Sequence, residues 1–502
     1  MLNRSRRIAL MAIALLAVLG WRWYSNQPGH TTKTAATTPA ATAVRRLGTL
    51  AFTPCTLALT IGVQAVEAQC SSLSVPENRA APNGRKIILA IAWMPAKGEA
   101  EPDPIFMLAG GPGQSALKSF PGIAPAFDEA RKHRAVILVD QRGTGGSNAL
   151  LCHASEADDA FSRVAAGRCL KEVSTHADVR FYSTSEAIQD LDDVRRAINA
   201  EQINLIGVSY GTRVAQQYAK RYPTHTRTVT LDGVVANSLV LGNEFAGNLE
   251  SSLNRQFARC ANDKTCMEKL GDPRARLTAL LAQLKTKPPH VHYRDAITGE
   301  AREDDLTADH VAVLARMFAY APQAAALLPL VLNEAAQGRY EPIMALSHLL
   351  SSTLGDEITQ GMQLSVICTE DAGELTVNPA DADSLLGNGM IDSLQSQCAV
   401  WPHGTRPPDF RLPLSGTLPV LLLSGEFDPV TPSRYGDEVA KSLPNSRHLI
   451  VRGQGHNVLP VGCMPRLFAR FLETADGKSL DAGCLATVPY SQPFTGFYGW
   501  EP

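Results

Sequence analysis

The stretch Ile203-Asn204-Leu205-Ile206-Gly207-Val208-Ser209-Tyr210-Gly211 decides how the rest of the chain is read. An apolar run over 203–208 ends in a G-x-S-x-G pentapeptide, and a helical pattern follows from Thr212 to Arg221. Strand, sharp turn and helix in that order form the context of a nucleophile elbow. The turn needs glycines because the serine backbone is strained and neighbouring side chains would clash with it. In return the hydroxyl stands exposed at a helix N-terminus, where the dipole and free N–H groups favour negative charge. The chain has 38 glycines, so the pentapeptide alone is weak. Its partners must come from elsewhere.

Working outward, Ile105–Leu108 and Ala135–Val139 are short continuous apolar runs ended by Gly-rich turns, as buried parallel strands are. Upstream, strand signals run through 57–65, 73–75 and 86–93. Ser185–Ala200 places Ala187, Leu191, Val194 and Ile198 on one helical face, and Arg227–Leu231 is a further strand. Strands alternating with helices predict an α/β fold with a doubly wound, mostly parallel sheet. From residue 238 to 410 the period is helical, with no convincing strand, which predicts a lid inserted after a sheet strand. The α/β pattern resumes at Pro419–Leu423, continues through a helix and the strand His448–Val451, and ends in a helix at 461–474. The expected division is an export segment or anchor (1–24), a flexible linker (25–50), a core in two parts (51–237 and 411–490), the lid between them, and a tail (491–502).

With 502 residues, 45% apolar residues and a net charge of −2, the chain can bury a sizeable core and carries no basic stripe for nucleic acid. No C-x-x-C or zinc-type spacing is present, so neither metal nor cofactor is expected. Arg4, Arg6 and Arg7 precede an apolar run from Ile8 to Leu19, the layout of an export signal. The alternative is an uncleaved tether over residues 8–24, with Trp21, Trp23 and Tyr24 at the membrane interface. An exported chain is periplasmic or secreted, and there ten cysteines in sequence-local pairs suggest disulfides. The simplest pairing joins Cys55 to Cys70, Cys152 to Cys169, Cys260 to Cys266, Cys368 to Cys398, and Cys463 to Cys484. Sequence alone does not fix that connectivity.

A serine hydroxyl needs an adjacent base held by a third group. In the elbow architecture the chain order is serine, acid, histidine, each in a loop beyond a strand's C-terminal end. Of 12 histidines, His456 is the one in a Gly-rich loop after a terminal strand. For the acid, Asp428 competes with Glu426. Asp428 is favoured because it lies deeper in its loop, before Pro429 and the helix that Thr431-Pro432 starts. An oxyanion needs backbone donors: one is the N–H of Tyr210, the other comes from Ala109-Gly110-Gly111-Pro112-Gly113. Pro112 has no N–H, which leaves Gly111. For Asp140-Gln141-Arg142-Gly143-Thr144-Gly145-Gly146-Ser147 the expectation is a brace beneath the active-site loops.

Together, Gly110–Gly113, Asp140–Ser147, Gly207–Gly211, Gly425 with Asp428 and Thr431-Pro432, and Gly455-His456 resemble the proline iminopeptidase and tripeptidyl aminopeptidase branch of the α/β-hydrolases. The resemblance spans residues 55–485, and the entry Cys70–Asn78 is more similar to the exported tripeptidyl aminopeptidases. It implies the α/β-hydrolase fold, the triad Ser209, Asp428 and His456, and a peptide substrate with a free N-terminus. One departure is Ala109, where many relatives have a histidine; the donor N–H remains while the loop packing changes. Related iminopeptidases bind the substrate ammonium with lid glutamates. Glu370 is the candidate here, with Glu244 and Glu250 behind it. The same triad also serves carboxylic-ester hydrolases, and a binding protein with an idle triad is a third class.

Overall fold

A computed structural model describes residues 44–58, 64–153, 162–496 and 499, apart from the side chains of 354 and 356. The expected export segment and all but the end of the linker lie outside the described residues. Residues 45–502 form one compact unit.

Twelve strands are present among the described residues: β1 (Arg45–Leu47), β2 (Leu50–Leu57), β3 (Val66–Pro76), β4 (Lys86–Met94), β5 (Ile105–Leu108), β6 (Val136–Val139), β7 (Ile203–Val208), β8 (Thr226–Asp232), β9 (His290–Arg294), β10 (Ala301–Asp305), β11 (Val420–Gly425) and β12 (Ser446–Val451). Ten of them form one sheet in the order β1-β2-β3-β4-β6-β5-β7-β8-β11-β12. From β6 to β12 every pair is parallel. The entry is an antiparallel meander, β1 to β4, which joins β6 antiparallel. Every residue of β5, β6, β7 and β11 is buried, which is why these strands read as unbroken apolar runs. Their side chains alternate between two cores. Phe106, Ile137, Leu205 and Leu422 face the helices Thr184–Ala197 and Tyr210–Arg221. Ile105, Leu138, Ile206 and Leu421 face Ala116–Ile123 and Met464–Thr474. The winding is double, as expected.

Three expectations need correction. The linker does not reach residue 50, because β1 pairs with β2 through Arg45↔Phe52 and Leu47↔Leu50. The strand read over 57–65 is not one strand: β2 ends at Leu57, which pairs antiparallel with Val66 at the start of β3, and residues 59–63 of that reading lie outside the described residues. The pairing of β2 with β3 is tied by the Cys55–Cys70 disulfide, a contact that an apolar run does not announce. The inserted region also contains a hairpin, β9–β10. β10 is Ala-Arg-Glu-Asp-Asp, exposed throughout, so it has no apolar alternation to detect.

Helices make up most of the insertion. Phe245–Ala261, Pro273–Thr286, Ala308–Ala319, Leu328–Ala336 and Glu341–Glu357 share a core of their own, including Leu253, Phe257, Leu277, Phe318 and Ile343. Gln360–Glu370 and Gly389–Cys398 depart from that pattern: Leu364, Val366, Ile367 and Leu394 join the core on the sheet. The later part of the insertion is thus packed into the core on the sheet. Five disulfides join the ten cysteines in neighbouring pairs, 55–70, 152–169, 260–266, 368–398 and 463–484.

Candidate active site

The residue after strand β7 has a backbone conformation that L-amino acids rarely adopt: Ser209 has φ 56° and ψ −125°. Two glycines permit it. A Cβ on Gly207 would lie 2.2 Å from the Gly211 carbonyl oxygen, and one on Gly211 would lie 2.2 Å from that of Leu108. The serine backbone is pinned on both sides. Its N–H donates to the Asp232 carbonyl at 2.9 Å, and its own carbonyl accepts the N–H of Thr212 at 2.8 Å. A strained residue persists when its surroundings over-determine it, and these bonds do so. Tyr210 opens the helix, so its N–H has no acceptor in that helix.

The loop after β5 comes directly against this turn. A Cβ on Gly110 would lie 3.0 Å from the Ser209 Cβ and 3.0 Å from Oε1 of Gln114. The N–H groups of Gly111 and Tyr210 therefore belong to two segments that meet at Ser209. The loop is held from below by the segment after β6. Asp140 accepts the Ser115 hydroxyl at 2.6 Å, the Leu117 N–H at 3.0 Å and the Gly146 N–H at 2.9 Å. Arg142, fully buried, makes two bonds of 2.6 Å to Asp190 and donates to the carbonyls of Glu77 and Phe181. This gives the expected brace its contacts: one end fixes the helix after the glycine loop, the other ties β3 to Thr184–Ala197.

Beyond β11 and β12 the acid and the base meet. His456 Nδ1 lies 2.7 Å from Asp428 Oδ2, with the imidazole 3% and the carboxylate 0% exposed. The second Asp428 oxygen accepts the N–H groups of Val430 at 2.9 Å and Thr431 at 2.8 Å, and the Thr431 hydroxyl donates to Oδ2 at 2.8 Å. Burial alone would raise the Asp428 carboxyl, but the facing imidazole and these donors outweigh it and hold it below the ordinary range. Burial likewise pulls His456 down, and Asp428 and Asp232 more than offset that and hold it above its ordinary value. Glu426, the rival acid, points elsewhere. It accepts the Gly453 N–H at 2.7 Å and the Tyr490 hydroxyl at 3.0 Å.

Ser209 and His456 stand on either side of the Asp232-Gly233 turn. A Cβ on Gly233 would strike His456 Cε1 at 2.8 Å, while the Asp232 carbonyl holds the Ser209 N–H. Among the described residues no hydrogen bond joins the Ser209 hydroxyl to His456. The Asp232 carboxylate accepts the N–H groups of Val458 and Leu459, each at 2.9 Å. Burial raises its pKa to about 6. A His–Asp pair of this kind can take a proton from a nearby hydroxyl and carry the resulting charge.

The three lid glutamates do not gather here. Glu370 is 1% exposed and closed in below the elbow helix. Its oxygens accept the Thr184 N–H at 2.7 Å and the Thr184 hydroxyl at 3.0 Å, and that hydroxyl is 2.6 Å from the Tyr210 hydroxyl. Burial, opposed by Arg213, raises its pKa to about 7. The expectation fails because helix Gln360–Glu370 packs on the sheet core and turns this side chain away from solvent. Glu244 pairs with Arg434 at 2.6 Å, and Glu250 pairs with Arg274 at 3.0 Å. Other residues come to the site unannounced. Ile358 bridges Gln114, the Thr359 N–H donates to the Gly113 carbonyl at 2.9 Å, and the exposed Glu357 hydrogen-bonds the Gln114 side chain. Tyr320 reaches His456 from the lid. The acid-glycine pair Asp232-Gly233 at the end of a parallel strand was a signal for one of them; Tyr320, Gln114 and Glu357 had none.

Comparison with known proteins agrees with this fold. The family model for the alpha/beta hydrolase fold matches residues 103–462. The serine protease Hip1 of Mycobacterium tuberculosis is 24% identical over 451 residues, covering 78% of this chain and 82% of that protein. A tripeptidyl aminopeptidase of Streptomyces coelicolor is 24% identical over 472 residues, covering 85% and 84%. Carboxylesterase B of Mycobacterium tuberculosis is 29% identical over 266 residues, covering 46% and 51%. The family match begins before β5 and ends beyond the His456 loop. The strand that carries Ser209 and the loops that carry Asp428 and His456 all fall inside it, and the chain belongs to the α/β hydrolase fold family as a hydrolase.

Proposed function

We propose that this protein is an exported serine aminopeptidase, releasing N-terminal residues or short peptides from substrates with a free amine. Ser209 Oγ attacks the scissile carbonyl while His456 Nε2 takes its proton and Asp428 holds Nδ1–H. The N–H groups of Tyr210 and Gly111 receive the oxyanion. Collapse gives an acyl-enzyme and a leaving amine protonated by His456, and water then repeats the sequence. The observation that carries this reading is the buried Asp428–His456 pair set across Gly233 from a serine held at φ 56°. Glu357 is the carboxylate that best suits the substrate ammonium: it is exposed at the lid edge and bonded to Gln114 beside the glycine loop. The names of the two peptidases to which the chain is similar support peptide substrates.

Five disulfides support the exported part of the reading, since oxidising compartments permit them. Thiol titration of denatured, unreduced protein from the periplasm or medium should find almost no free thiol; ten would remove it. A second reading, a carboxylic-ester hydrolase on the same residues, draws on the likeness to Carboxylesterase B. One panel separates them: free and acetylated chromogenic mono-, di- and tripeptides beside short-chain aryl esters. An aminopeptidase cleaves free-amine peptides and loses them on acetylation. Hydrolysis of esters with no turnover of any peptide would leave the second reading standing.

A further inference from the structure

The lid hairpin presents an arrangement that neither the hydrolase chemistry nor the fold requires. Side chains alternate along β9, so Val291 and Tyr293, 4% and 8% exposed, pack inward while His290 and His292 stand in solvent on the other face. Cross-strand register then sets Glu303 opposite His292 and Asp305 opposite His290. His292 Nδ1 is 3.0 Å from Glu303 Oε2, His290 Nδ1 is 2.8 Å from Asp305 Oδ1, and the two imidazole rings are 5.4 Å apart. A donor atom from each of His290, His292 and Glu303 lies within 4.8 Å of the others.

We propose that this face of the hairpin is a binding site for a divalent transition-metal ion of the zinc class. His290, His292 and Glu303 are the ligands, Asp305 holds the His290 ring, and water completes the coordination. Two imidazoles and a carboxylate are the donor set that zinc, nickel and copper favour over magnesium and calcium. Tetrahedral zinc with bonds of ~2.0–2.2 Å sets ligand atoms roughly 3.3–3.6 Å apart, so the present spacing needs a contraction of about 1 Å. Glu303 is long and exposed, and a rotamer change supplies that movement. Both histidines and Glu303 come from strands already locked in register, so little backbone order is lost on binding. The bound ion would clip β9 to β10 on the exposed face of the hairpin, a structural role rather than a catalytic one. Because the ligating imidazoles must be neutral, protons compete with the ion and binding weakens as pH falls.

The test is calorimetric titration of the full chain, stripped with EDTA and dialysed, with zinc chloride near neutral pH and magnesium chloride as control. The expected result is one saturable zinc site per chain and none for magnesium. His292→Ala and Glu303→Gln should each weaken zinc by about tenfold or more, and a His290→Ala/His292→Ala double variant should abolish the site. All three positions are exposed, so folding is not at stake, and unchanged aryl-ester turnover in each variant verifies that. Absence of saturable zinc binding overturns the proposal. So does full-strength binding in the double variant, which would put the ion on another histidine such as His153 or His448.

Discussion

The main-chain carbonyl of Tyr320 accepts the N–H of His456 at 2.8 Å, and the two rings meet edge to face with centroids 5.1 Å apart. Tyr320 follows the lid helix Ala308–Ala319, so the proposed base is positioned by the insertion as well as by its own loop. Contact is close throughout: a Cβ on Gly455 would lie 2.2 Å from the same carbonyl. Lid and base loop are therefore one packed unit, and a disturbance on one side reaches the other.

Tyr320→Ala should keep the main-chain bond and lose the ring that limits imidazole rotation. The expected cost is about tenfold in kcat/KM, or ~1.4 kcal/mol, on peptides and esters alike. Tyr320→Phe keeps the ring and should retain most activity. Steady-state kinetics on an aryl ester measure this, and an Ala variant equal to the parent would remove the positioning role.

Ser209→Ala, His456→Ala and Asp428→Asn should each lower turnover by roughly three to six orders of magnitude, and double variants should lose little more. Glu426→Gln should be mild, since that carboxylate serves Gly453 and Tyr490. A crippling Glu426→Gln beside a harmless Asp428→Asn would reverse the choice of acid.

The pH profile carries a further prediction. His456 must be neutral to accept a proton, and Asp428 and Asp232 hold it above its ordinary value. The acid limb of kcat/KM should therefore lie above about pH 6.5, the usual histidine value. Asp232→Asn removes a negative charge while its side-chain oxygen can still accept from Val458 and Leu459, so the limb should move to lower pH. A limb that stays in place, or moves up, would show that Asp232 does not act on the imidazole.

How much of this was legible in sequence follows from how local each signal is. β7, β8 and the loops after β11 and β12 were readable because each apolar run is followed within a few residues by its glycines and its Ser, acid or His, and these come in the chain order Ser209, Asp428, His456. The meander at β2–β3 and the hairpin β9–β10 were not. The first pairs two strands antiparallel where the apolar pattern reads as one, and the second has a strand with no buried residue. Glu370 was misplaced for a related reason. An acid at the end of an apolar stretch looks the same whether its helix covers the pocket or packs on the sheet, and only the tertiary contacts of Leu364, Val366 and Ile367 decide. Glu357 and Tyr320 act through contacts with loops far away in sequence, and nothing in their neighbourhoods announces it.

Glu370 and Glu357 make the last prediction, because the two glutamates should fail in opposite ways. Glu370 is sealed, and its pKa is raised to about 7 by burial, against the influence of Arg213. An acid whose folded pKa exceeds its unfolded value of about 4.3 contributes stability that is present at low pH and is lost as pH rises through the folded value. Glutamine mimics the protonated form and does not titrate. Relative to the parent, Glu370→Gln should therefore gain thermal stability between about pH 5 and pH 8, and Arg213 keeps Asp371 as a partner at 3.0 Å. It should not alter the preference for free amines over esters. Glu357→Gln should do the reverse: an unchanged melting profile, with kcat/KM for free-amine peptides lowered about tenfold and esters untouched. That size suits an exposed charge better than the larger loss expected for a buried pair. Melting curves across pH and the peptide-to-ester ratio measure the two effects separately. If the ratio fell in Glu370→Gln and held in Glu357→Gln, the amine site would lie beneath the elbow after all.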